Sequence, residues 1–237
     1  MNIDIVAVVL ARGGSKRLPK KNLLPLCGKP LIDWTFEVAT KSAVIDLVVL
    51  STDDQDILCE ADKTGVRTIK RPAALATDLA TSFDALVHVL NRLKDDAIIP
   101  KRIMLLQPTS PLRQTEDIDN AVMKMDETGA HSVISVCEAE HSPLWCNTLD
   151  DDGSMDDFIL NTVKNQRSQD LSTYYRLNGA VYLADVDKFL EHKGFMMDNS
   201  RAIVMPRERS IDIDCQLDLE IAELLMKKRI EQKSINN

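Results

Sequence analysis

The 237-residue sequence predicts an α/β fold in which a mostly parallel sheet is flanked by helices within a single domain. Strand-like and helix-like segments alternate through the first 140 residues, which is typical of βαβ units. The segment from Ile5 to Ala11 is apolar without alternation, as expected for a central strand that is covered on both faces. Sheets of this kind bind their ligands at the carboxyl ends of the strands.

The first half of the chain supplies the predicted strand and helix repeats. A helix over about 31–42 follows Pro30, a residue well suited to a first helical turn. Thr81 and Asp84 form a capping-box pattern, and apolar residues then recur at helical spacing, which predicts a helix with a core-facing stripe. The other elements predicted here are apolar strands over 44–51, 66–70 and 103–106, and a helix that starts at Thr115 or Glu116.

The second half of the chain is less regular. The run 131–137 is strand-like and places Cys137 in the core. From about 138 to 177 short polar segments replace the pattern, and we interpret them as an inserted dimerisation arm within the same domain. The elements predicted after it are strands over 178–184, 201–205 and 210–214, and a closing helix that carries Leu217, Ile221, Leu224 and Leu225.

The composition excludes several classes of function. A net charge of −8 and a pI near 5.1 argue against nucleic acid as a main partner, because that role needs a broad basic surface. No apolar stretch approaches the roughly 18 residues that span a bilayer, so we expect no membrane partner. Five scattered cysteines without a C-x-x-C pair predict a reduced, cytoplasmic protein. The spacing of Cys137, His141 and Cys146 is not a usual zinc pattern.

A glycine pair and a group of basic residues follow the first strand. Gly13 and Gly14 allow a tight turn that presents backbone N–H groups. The basic residues of this phosphate loop (residues 12–21) are Arg12, Lys16, Arg17, Lys20 and Lys21. Because this positive charge lies in an acidic chain and at the end of a buried strand, it predicts a polyphosphate site. The loop matches neither G-x-x-x-x-G-K-[ST] nor G-x-G-x-x-G.

Two aspartates near the end of the chain form a second candidate cluster. If 210–214 is a strand, Asp212 and Asp214 share one face, and Ile211 and Ile213 share the other. Paired carboxylates repel each other unless a cation lies between them, and Mg²⁺ binds such oxygens together with substrate phosphates. A solvated acidic edge strand is the alternative. In combination with the phosphate loop, the pair predicts a magnesium site.

Eight short motifs occur together in the chain and span nearly all of it. They are LARGGSK (10–16), KN (21–22), STD (51–53), RP (71–72), LATDLATS (75–82), LLQPTSPLR (105–113), NGAVY (178–182) and IDID (211–214). In this order they resemble the N-acylneuraminate (nonulosonate) cytidylyltransferases, the CMP-sialic acid synthetases. The resemblance implies a Rossmann-like nucleotide-sugar transferase fold. It also implies an enzyme that transfers CMP from CTP to the anomeric hydroxyl of a nonulosonic acid, releases pyrophosphate, uses Mg²⁺ and works as a homodimer.

The resemblance also implies roles for individual residues. Those assigned to the nucleotide are Arg12, Ser15, Lys16 and Lys21 for the triphosphate, Asn22 and Ser82 for the ribose, and Arg71 for the cytosine. Those assigned to the sugar are Gln107, Tyr182 and Arg167, the last donated across the dimer to the sugar carboxylate. Asp212 and Asp214 match the metal pair, and Asp212 is the candidate general base; with Arg12, Lys21 and Gln107 it completes the candidate catalytic set.

Several alternatives remain at this level. Ser82 is also suited to starting a helix, Tyr182 to packing within a strand, and Arg167 to a solvated surface. The loop sequence Ser15-Lys-Arg-Leu-Pro-Lys-Lys21 also resembles the 3-deoxy-manno-octulosonate cytidylyltransferases, which carry out the same chemistry on an eight-carbon sugar. A non-catalytic module that binds CTP or a CMP-sugar is the alternative of another class. Trp145 lies where some relatives have lysine, so the sequence leaves the particular sugar open.

Overall fold

A computed structural model describes residues 1–235 of the chain as an α/β fold. The elements of the first half are β1 (Asn2–Leu10), β2 (Pro25–Leu26), β3 (Lys29–Pro30), α1 (Leu31–Lys41), β4 (Leu47–Thr52), α2 (Gln55–Thr64), β5 (Arg67–Lys70), α3 (Ser82–Asp95) and β6 (Ile99–Leu105). Those of the second half are α4 (Thr115–Thr128), β7 (Ser132–Glu138), β8 (Tyr175–Asp185), α5 (Val186–His192), β9 (Ser200–Val204) and α6 (Gln216–Ile235).

Seven of these strands form one sheet in the order β5-β4-β1-β6-β8-β7-β9. Neighbours pair in parallel except where β8 meets β6 and β7, so β8 runs against the other strands of this sheet. Val6 to Val9 of β1 are fully buried, as the unbroken apolar run predicts. The mostly parallel sheet flanked by helices is therefore confirmed. Strands β2 and β3 form a separate small hairpin.

Helices cover both faces of the sheet. Residues of α1, α2 and α4, such as Phe36, Ile57 and Ile118, pack on one face, while α3 and α5 contribute Leu86 and Phe189 to the other. The capping box of Thr81 and Asp84 is present at the start of α3, as predicted. Cys137 is fully buried in β7, as also predicted.

The predicted closing helix is present as α6, and of its four apolar residues named in the sequence analysis only Leu225 packs against the core. Leu217, Ile221 and Leu224 are exposed, whereas Ala222 and Met226 are buried against the β2–β3 hairpin region and Ile213. The apolar residues of α6 are spread around the helix, so spacing alone did not identify the buried side.

The irregular segment 139–174 lies between β7 and β8 and contains two short 3₁₀ turns. Its bounds are narrower than the predicted arm of 138–177, because Glu138 pairs with Tyr175, and 175–177 already belong to β8. A register shift between Ile134 and Val136 interrupts this strand pair. The role of the segment in dimerisation remains a prediction.

The segment 210–214 is not a strand, which corrects the prediction. It runs beside the loop that follows β6, where Ile213 N–H donates to the carbonyl of Thr109 at 2.8 Å. Since its neighbour is a loop rather than a strand, no ladder of hydrogen bonds forms. The alternation nevertheless persists: Ile213 is buried, while Asp212 and Asp214 are exposed.

Candidate functional site

A cavity of about 370 Å³ opens at the carboxyl ends of β1 and β6. Parallel strands bring the loops that follow them to one edge of the sheet, which is where α/β proteins bind ligands. The residues that line it are Leu10, Arg12, Ser15, Lys21, Asn22, Thr77, Asp78, Ala80, Ser82, Leu105, Gln107, Pro108 and Thr109. Six residues that the resemblance assigns to substrates therefore lie around one cavity: Arg12, Ser15, Lys21, Asn22, Ser82 and Gln107.

The phosphate loop packs closely against the end of β4. Gly13 N–H donates to Asp53 Oδ1 at 3.2 Å, and a Cβ added at Gly13 would lie 2.4 Å from Asp54 Oδ2. Asp54 cannot move away readily, because its carboxylate caps α2 by accepting from the N–H groups of Asp56 and Ile57. A residue without a side chain is therefore required at position 13.

Four of the five basic residues of the phosphate loop pair with two aspartates, Asp78 and Asp214. Arg12 and Lys16 both contact Asp78, at 2.8 and 2.5 Å. Arg17 and Lys21 both contact Asp214, at 2.8 and 2.9 Å. Lys21 is the best shielded of the four, with a side chain only 15% exposed, and it also donates to the carbonyl of Ile213 at 2.7 Å.

Asn22 and Ser82 both line the cavity. Asn22 is buried, and its side-chain amide donates to the carbonyl of Arg12 at 3.2 Å. Thr81 is the residue that caps α3, so Ser82 is the first helical residue and lines the cavity. The capping role considered for Ser82 therefore belongs to Thr81.

Arg71 is close to the phosphate loop but does not line the cavity. The residue is buried, and Ser51 holds it twice: Arg71 Nε donates to the Ser51 hydroxyl at 3.1 Å, and a terminal nitrogen donates to the Ser51 carbonyl at 2.7 Å. Burial lowers the pKa of Arg71, and nearby Asp53 opposes this effect.

Gln107 is held by a buried network that the sequence did not reveal. The guanidinium of Arg113, only 1% exposed, donates to the carbonyls of Gln107 and Ala180 at 2.6 and 2.7 Å. It also donates to the Thr35 hydroxyl at 3.3 Å. Burial lowers the pKa of Arg113 to about 9. These bonds connect the loop after β6 to β8 and α1.

Asn178 extends this network to the aspartate segment. Its amide nitrogen donates to the Ser210 hydroxyl at 2.9 Å, and its amide oxygen accepts from the Ser135 hydroxyl at 2.6 Å. The Ser110 hydroxyl donates to the Asn178 carbonyl at 3.1 Å. All four residues are buried, so β8 is bonded to the start of the segment that carries Asp212.

Tyr182 and Asp212 lie close enough to influence each other. Burial raises the pKa of Tyr182, and the charge of Asp212 raises it further. Asp212 is exposed as a whole residue, but protein atoms around its carboxyl group displace water and raise its pKa. A hydrogen bond from Thr109 opposes this effect, and the charge of Asp214 adds to it. Asp212 is therefore near Tyr182, Asp214 and Thr109, the last of which lines the cavity.

The two carboxylates suit a magnesium ion that completes its shell from a substrate. Asp212 and Asp214 are exposed and lie near Lys21 of the phosphate loop. Their carboxylates are close enough for the charge of Asp214 to raise the pKa of Asp212. Among residues 1–235 no group of three or more histidine, cysteine or acidic residues is arranged to hold a metal. Mg²⁺ commonly uses one or two carboxylates plus phosphates and waters, and the residues present fit that set.

Arg167 does not line the cavity, and neither do three other residues assigned to the substrates: Lys16, Arg71 and Tyr182. Arg167 precedes a short 3₁₀ turn, Ser168–Asp170, in the irregular segment and is exposed. Trp145 ends another such turn and is partly buried, and it too is absent from the cavity lining.

The structure also adds residues that the sequence analysis missed. They are Asp78 and Thr109 in the cavity wall, Ser51 and Arg113 behind it, and Arg176 beside Asp212. Four of them lie within the eight short motifs, but the role of each depends on a partner elsewhere in the chain: Asp78, Thr109, Ser51 and Arg113. Arg176 pairs with Glu140 at 2.7 Å, which lowers the pKa of Glu140 to about 2.

The fold and the cavity are those of an α/β protein that binds its ligand at the carboxyl ends of its strands. Comparison with known proteins identifies the family to which it belongs. Residues 6–235 match the model of the cytidylyltransferase family, and the chain belongs to that family. It is 36% identical over 230 residues to the CMP-N,N'-diacetyllegionaminic acid synthase of Legionella pneumophila, covering 94% of this chain and 96% of that protein.

Two further relatives carry different sugars in their names. The chain is 34% identical to the N-acylneuraminate cytidylyltransferase of Escherichia coli, over 98% of this chain and 54% of that protein, so it spans about half of that relative. It is 32% identical to a pseudaminic acid cytidylyltransferase of Campylobacter jejuni, over 94% of this chain and 96% of that protein.

Comparison with solved structures supports the fold. The structure is similar, with a TM-score of 0.72 and 19% identity, to CMP:2-keto-3-deoxy-manno-octonic acid synthetase complexed with CTP, covering 96% of this chain and all of that one. It is also similar to a 4-diphosphocytidyl-2C-methyl-D-erythritol synthase of Anaerococcus prevotii, with a TM-score of 0.64, 15% identity and coverage of 94% and 96%. Separately, none of the described helices combines the length and apolarity needed to cross a membrane.

Proposed function

We propose that the protein transfers CMP from CTP to the anomeric hydroxyl of a nonulosonic acid and releases pyrophosphate. The observation that carries the proposal is the meeting of the phosphate loop and the carboxylate pair, where Lys21 Nζ lies 2.9 Å from Asp214 Oδ1 at the cavity edge. Nucleotidyl transfer depends on positioning and on neutralising phosphate charge, and both groups serve that purpose. The names of the relatives support the same reaction.

In this proposal the triphosphate lies over the phosphate loop. Arg12, Lys16 and Lys21 neutralise its charge, and the backbone N–H group of Gly14 binds one of its oxygens. Asn22 and Ser82, which both line the cavity, bind the ribose. Arg71 binds the cytosine, with Ser51 fixing the orientation of its guanidinium.

Asp212 and Asp214 would hold Mg²⁺, which supplies charge neutralisation and a template for the phosphates when it is bound. Gln107 and Tyr182 would hydrogen-bond the polar groups of the sugar. We assign the proton of the anomeric hydroxyl to a carboxylate oxygen of Asp212, because Asp212 is near Tyr182 and its pKa is raised, as suits a base.

The nonulosonic acid remains to be chosen by experiment. The relatives named for legionaminic, neuraminic and pseudaminic acids have 36, 34 and 32% identity, too narrow a range to select one sugar. Trp145 would favour sugars with deoxy or methyl-bearing ends if dimerisation brings it to the cavity, by roughly 1 to 3 kcal/mol.

We also infer a homodimer in which 139–174 contacts the partner, supported by the position of Arg167 outside the cavity of its own chain. A cytoplasmic location is part of the proposal, and the five free cysteines suit a reducing compartment.

The direct test is pyrophosphate release from CTP and Mg²⁺ with each of four sugars: N-acetylneuraminate, legionaminate, pseudaminate and 3-deoxy-manno-octulosonate. We expect turnover with at least one nine-carbon sugar and less with the eight-carbon sugar. Preference for the eight-carbon sugar would support the alternative cytidylyltransferase assignment. CTP binding without turnover of any sugar would indicate a binding module and overturn the proposal. Arg12→Ala and Lys21→Ala should each raise KM for CTP.

A further inference from the structure

Asp78 occupies the position between two cations where a phosphate is expected. One of its carboxylate oxygens lies 2.8 Å from an Arg12 nitrogen, and the other lies 2.5 Å from Lys16 Nζ. The proposed function assigns both cations to the triphosphate. Asp78 also lines the same cavity. A triphosphate and the Asp78 carboxylate are therefore competitors for the same two side chains.

The other two paired cations of the phosphate loop, Arg17 and Lys21, would be freed from their carboxylate in a different way. Arg17 and Lys21 pair with Asp214, a carboxylate to which Mg²⁺ would bind. Asp78 is not one of the two carboxylates to which the proposed function assigns Mg²⁺. An incoming nucleotide must therefore displace Asp78 itself before Arg12 and Lys16 can bind its phosphates.

The segment that carries Asp78 is exposed and takes no part in the core, so Asp78 can change its contacts without disturbing the core. It lies between the 3₁₀ turn Ala73–Leu75 and α3, and its backbone bond from Ala80 N–H to the carbonyl of Thr77 is local. The neighbouring Leu79 is 92% exposed, and Thr77 and Asp78 are exposed as well, so these three residues contribute nothing to the hydrophobic core. The capping box at Thr81 keeps α3 intact whichever way Asp78 turns.

We propose that Asp78 is a displaceable counter-ion of the phosphate site. Before nucleotide binds, it holds Arg12 and Lys16 in place, and the triphosphate then replaces it. After the reaction, it competes with pyrophosphate for the same two cations and promotes product release. This inference rests on the proposed function for the roles of Arg12 and Lys16.

The test compares Asp78→Asn with the unaltered protein. Pyrophosphate binding is measured by calorimetry in EDTA, at low ionic strength, so that no metal contributes. Removing a competing carboxylate should tighten binding by roughly 3- to 10-fold, the effect of two exposed ion pairs. Pyrophosphate should also inhibit turnover at lower concentration, and KM for CTP should fall.

Asp56→Asn is the matched control, since Asp56 pairs with Lys20 at 2.9 Å and neither residue lines the cavity. It should leave pyrophosphate affinity within 2-fold. Asp78→Glu, which restores the charge, should return the affinity toward that of the unaltered protein. Thermal unfolding of all three variants excludes a change in folding as the cause.

Two results would overturn the inference. Weaker pyrophosphate binding by Asp78→Asn would show that Asp78 supports the ligand rather than competing with it. Unchanged binding would show that its ion pairs do not oppose the ligand in solution. The binding measurement needs no sugar and no turnover, so an inactive protein with tightened pyrophosphate binding would contradict only the proposed function.

Discussion

Gly179 lies directly against the side chain of Gln107. A Cβ built on Gly179 would stand 2.4 Å from Gln107 Oε1 and 3.2 Å from the Ser110 hydroxyl. The backbone of Gly179 has φ of +74°, in the left-handed region that glycine adopts without strain. The glycine therefore fixes the space in which Gln107 can face the sugar.

Gly179→Ala should cost both stability and sugar turnover. The left-handed backbone alone makes alanine unfavourable by about 1 to 2 kcal/mol, and the new methyl group displaces Gln107. We expect kcat/KM for the sugar to fall at least about 10-fold, a loss of 1.4 kcal/mol or more. Sugar kinetics at saturating CTP and thermal unfolding measure the two effects.

Gly194→Ala is the control, because a Cβ there meets no atom within 4 Å and the backbone is not left-handed. It should leave the sugar kinetics unchanged. Full activity in Gly179→Ala would show that Gln107 does not need its present position.

Much of the phosphate loop was predictable because its features are local in the sequence. A buried strand, two glycines and five basic residues follow one another within residues 5–21. What the loop bonds to was not predictable: Arg12 and Asp78 are 66 positions apart, and Lys21 and Asp214 are 193 apart. Periodicity reports which face a residue takes, but it carries no information about such distant partners.

The segment 210–214 also shows that periodicity predicts which residues are buried but does not identify their partners. Alternation correctly separated the buried Ile213 from the exposed Asp212, yet it wrongly implied a strand. Membership of a sheet requires a neighbouring strand with free backbone groups, and the fold places a loop there instead. Arg113 lies within one of the short motifs, but its guanidinium can be buried only because β8 and α1 supply hydrogen-bond acceptors for it.

Two carboxylates one turn apart on α1 should give opposite pH dependence. Burial, followed by the charge of Glu60, raises the pKa of Asp33 to about 6, and Asp33 Oδ1 has no hydrogen-bond partner among the described residues. Hydrogen bonds from Lys29 and Lys41 lower the pKa of Glu37 to about 2. Folding therefore favours protonated Asp33 and ionised Glu37.

The stabilising contribution of protonated Asp33 is present below pH 4 and is lost as the pH rises through about 6. That of ionised Glu37 is present above about pH 4.5 and is lost as the pH falls toward 2. At pH 7.5, Asp33→Asn should raise Tm and Glu37→Gln should lower it, each by roughly 1 to 3 °C because solvent screens both groups. Shifts of the same sign in both variants would contradict these assignments.

Ser51 should act as a positioning residue for Arg71. Ser51→Ala removes the hydroxyl that accepts from Arg71 Nε and leaves a buried donor without that partner. We expect KM for CTP to rise roughly 10-fold with a smaller change in kcat, and discrimination against UTP to weaken.

Ser51→Thr keeps a hydroxyl and should restore most of the affinity. Ser42→Ala is the control for loss of a buried serine, since Ser42 bonds Asp119 at 3.1 Å and does not line the cavity. An unchanged CTP-to-UTP preference in Ser51→Ala would mean that Arg71 does not read the base.

The carboxylate pair should matter for turnover far more than for folding. Asp212→Ala or Asp214→Ala removes a candidate metal ligand, and we expect kcat to fall on the order of 100-fold. The ion pair of Asp214 with Arg17 is exposed and contributes under about 1 kcal/mol, and removal of one charge relieves repulsion between the carboxylates, which offsets the loss of the better-shielded pair with Lys21. Activity titrated against Mg²⁺, beside thermal unfolding, separates the two effects. Near-full activity at low Mg²⁺ in both variants would remove the metal assignment.

Arg167 should complete the sugar site of the partner subunit. In a single chain it lies in the segment 139–174 and outside the cavity that Gln107 lines, whereas a bidentate arginine is the group best suited to a sugar carboxylate. If the arm reaches across a dimer, Arg167→Ala and Asp212→Ala damage different halves of the same composite site. Each variant alone should then be nearly inactive. A mixture allowed to exchange subunits forms hybrid dimers in which one of the two sites has both residues intact.

With equal amounts and random exchange, half of the dimers are hybrids with one intact site, so activity should recover to about a quarter of that of the unaltered protein. The control mixes the Arg167→Ala variant with a double variant that carries both Arg167→Ala and Asp212→Ala. This mixture should recover no activity, because none of its sites has both residues intact. Light scattering at the assay concentration establishes whether dimers are present. A monomer, or a dimer whose mixed variants stay inactive after exchange has been verified, would place Arg167 outside the partner's site.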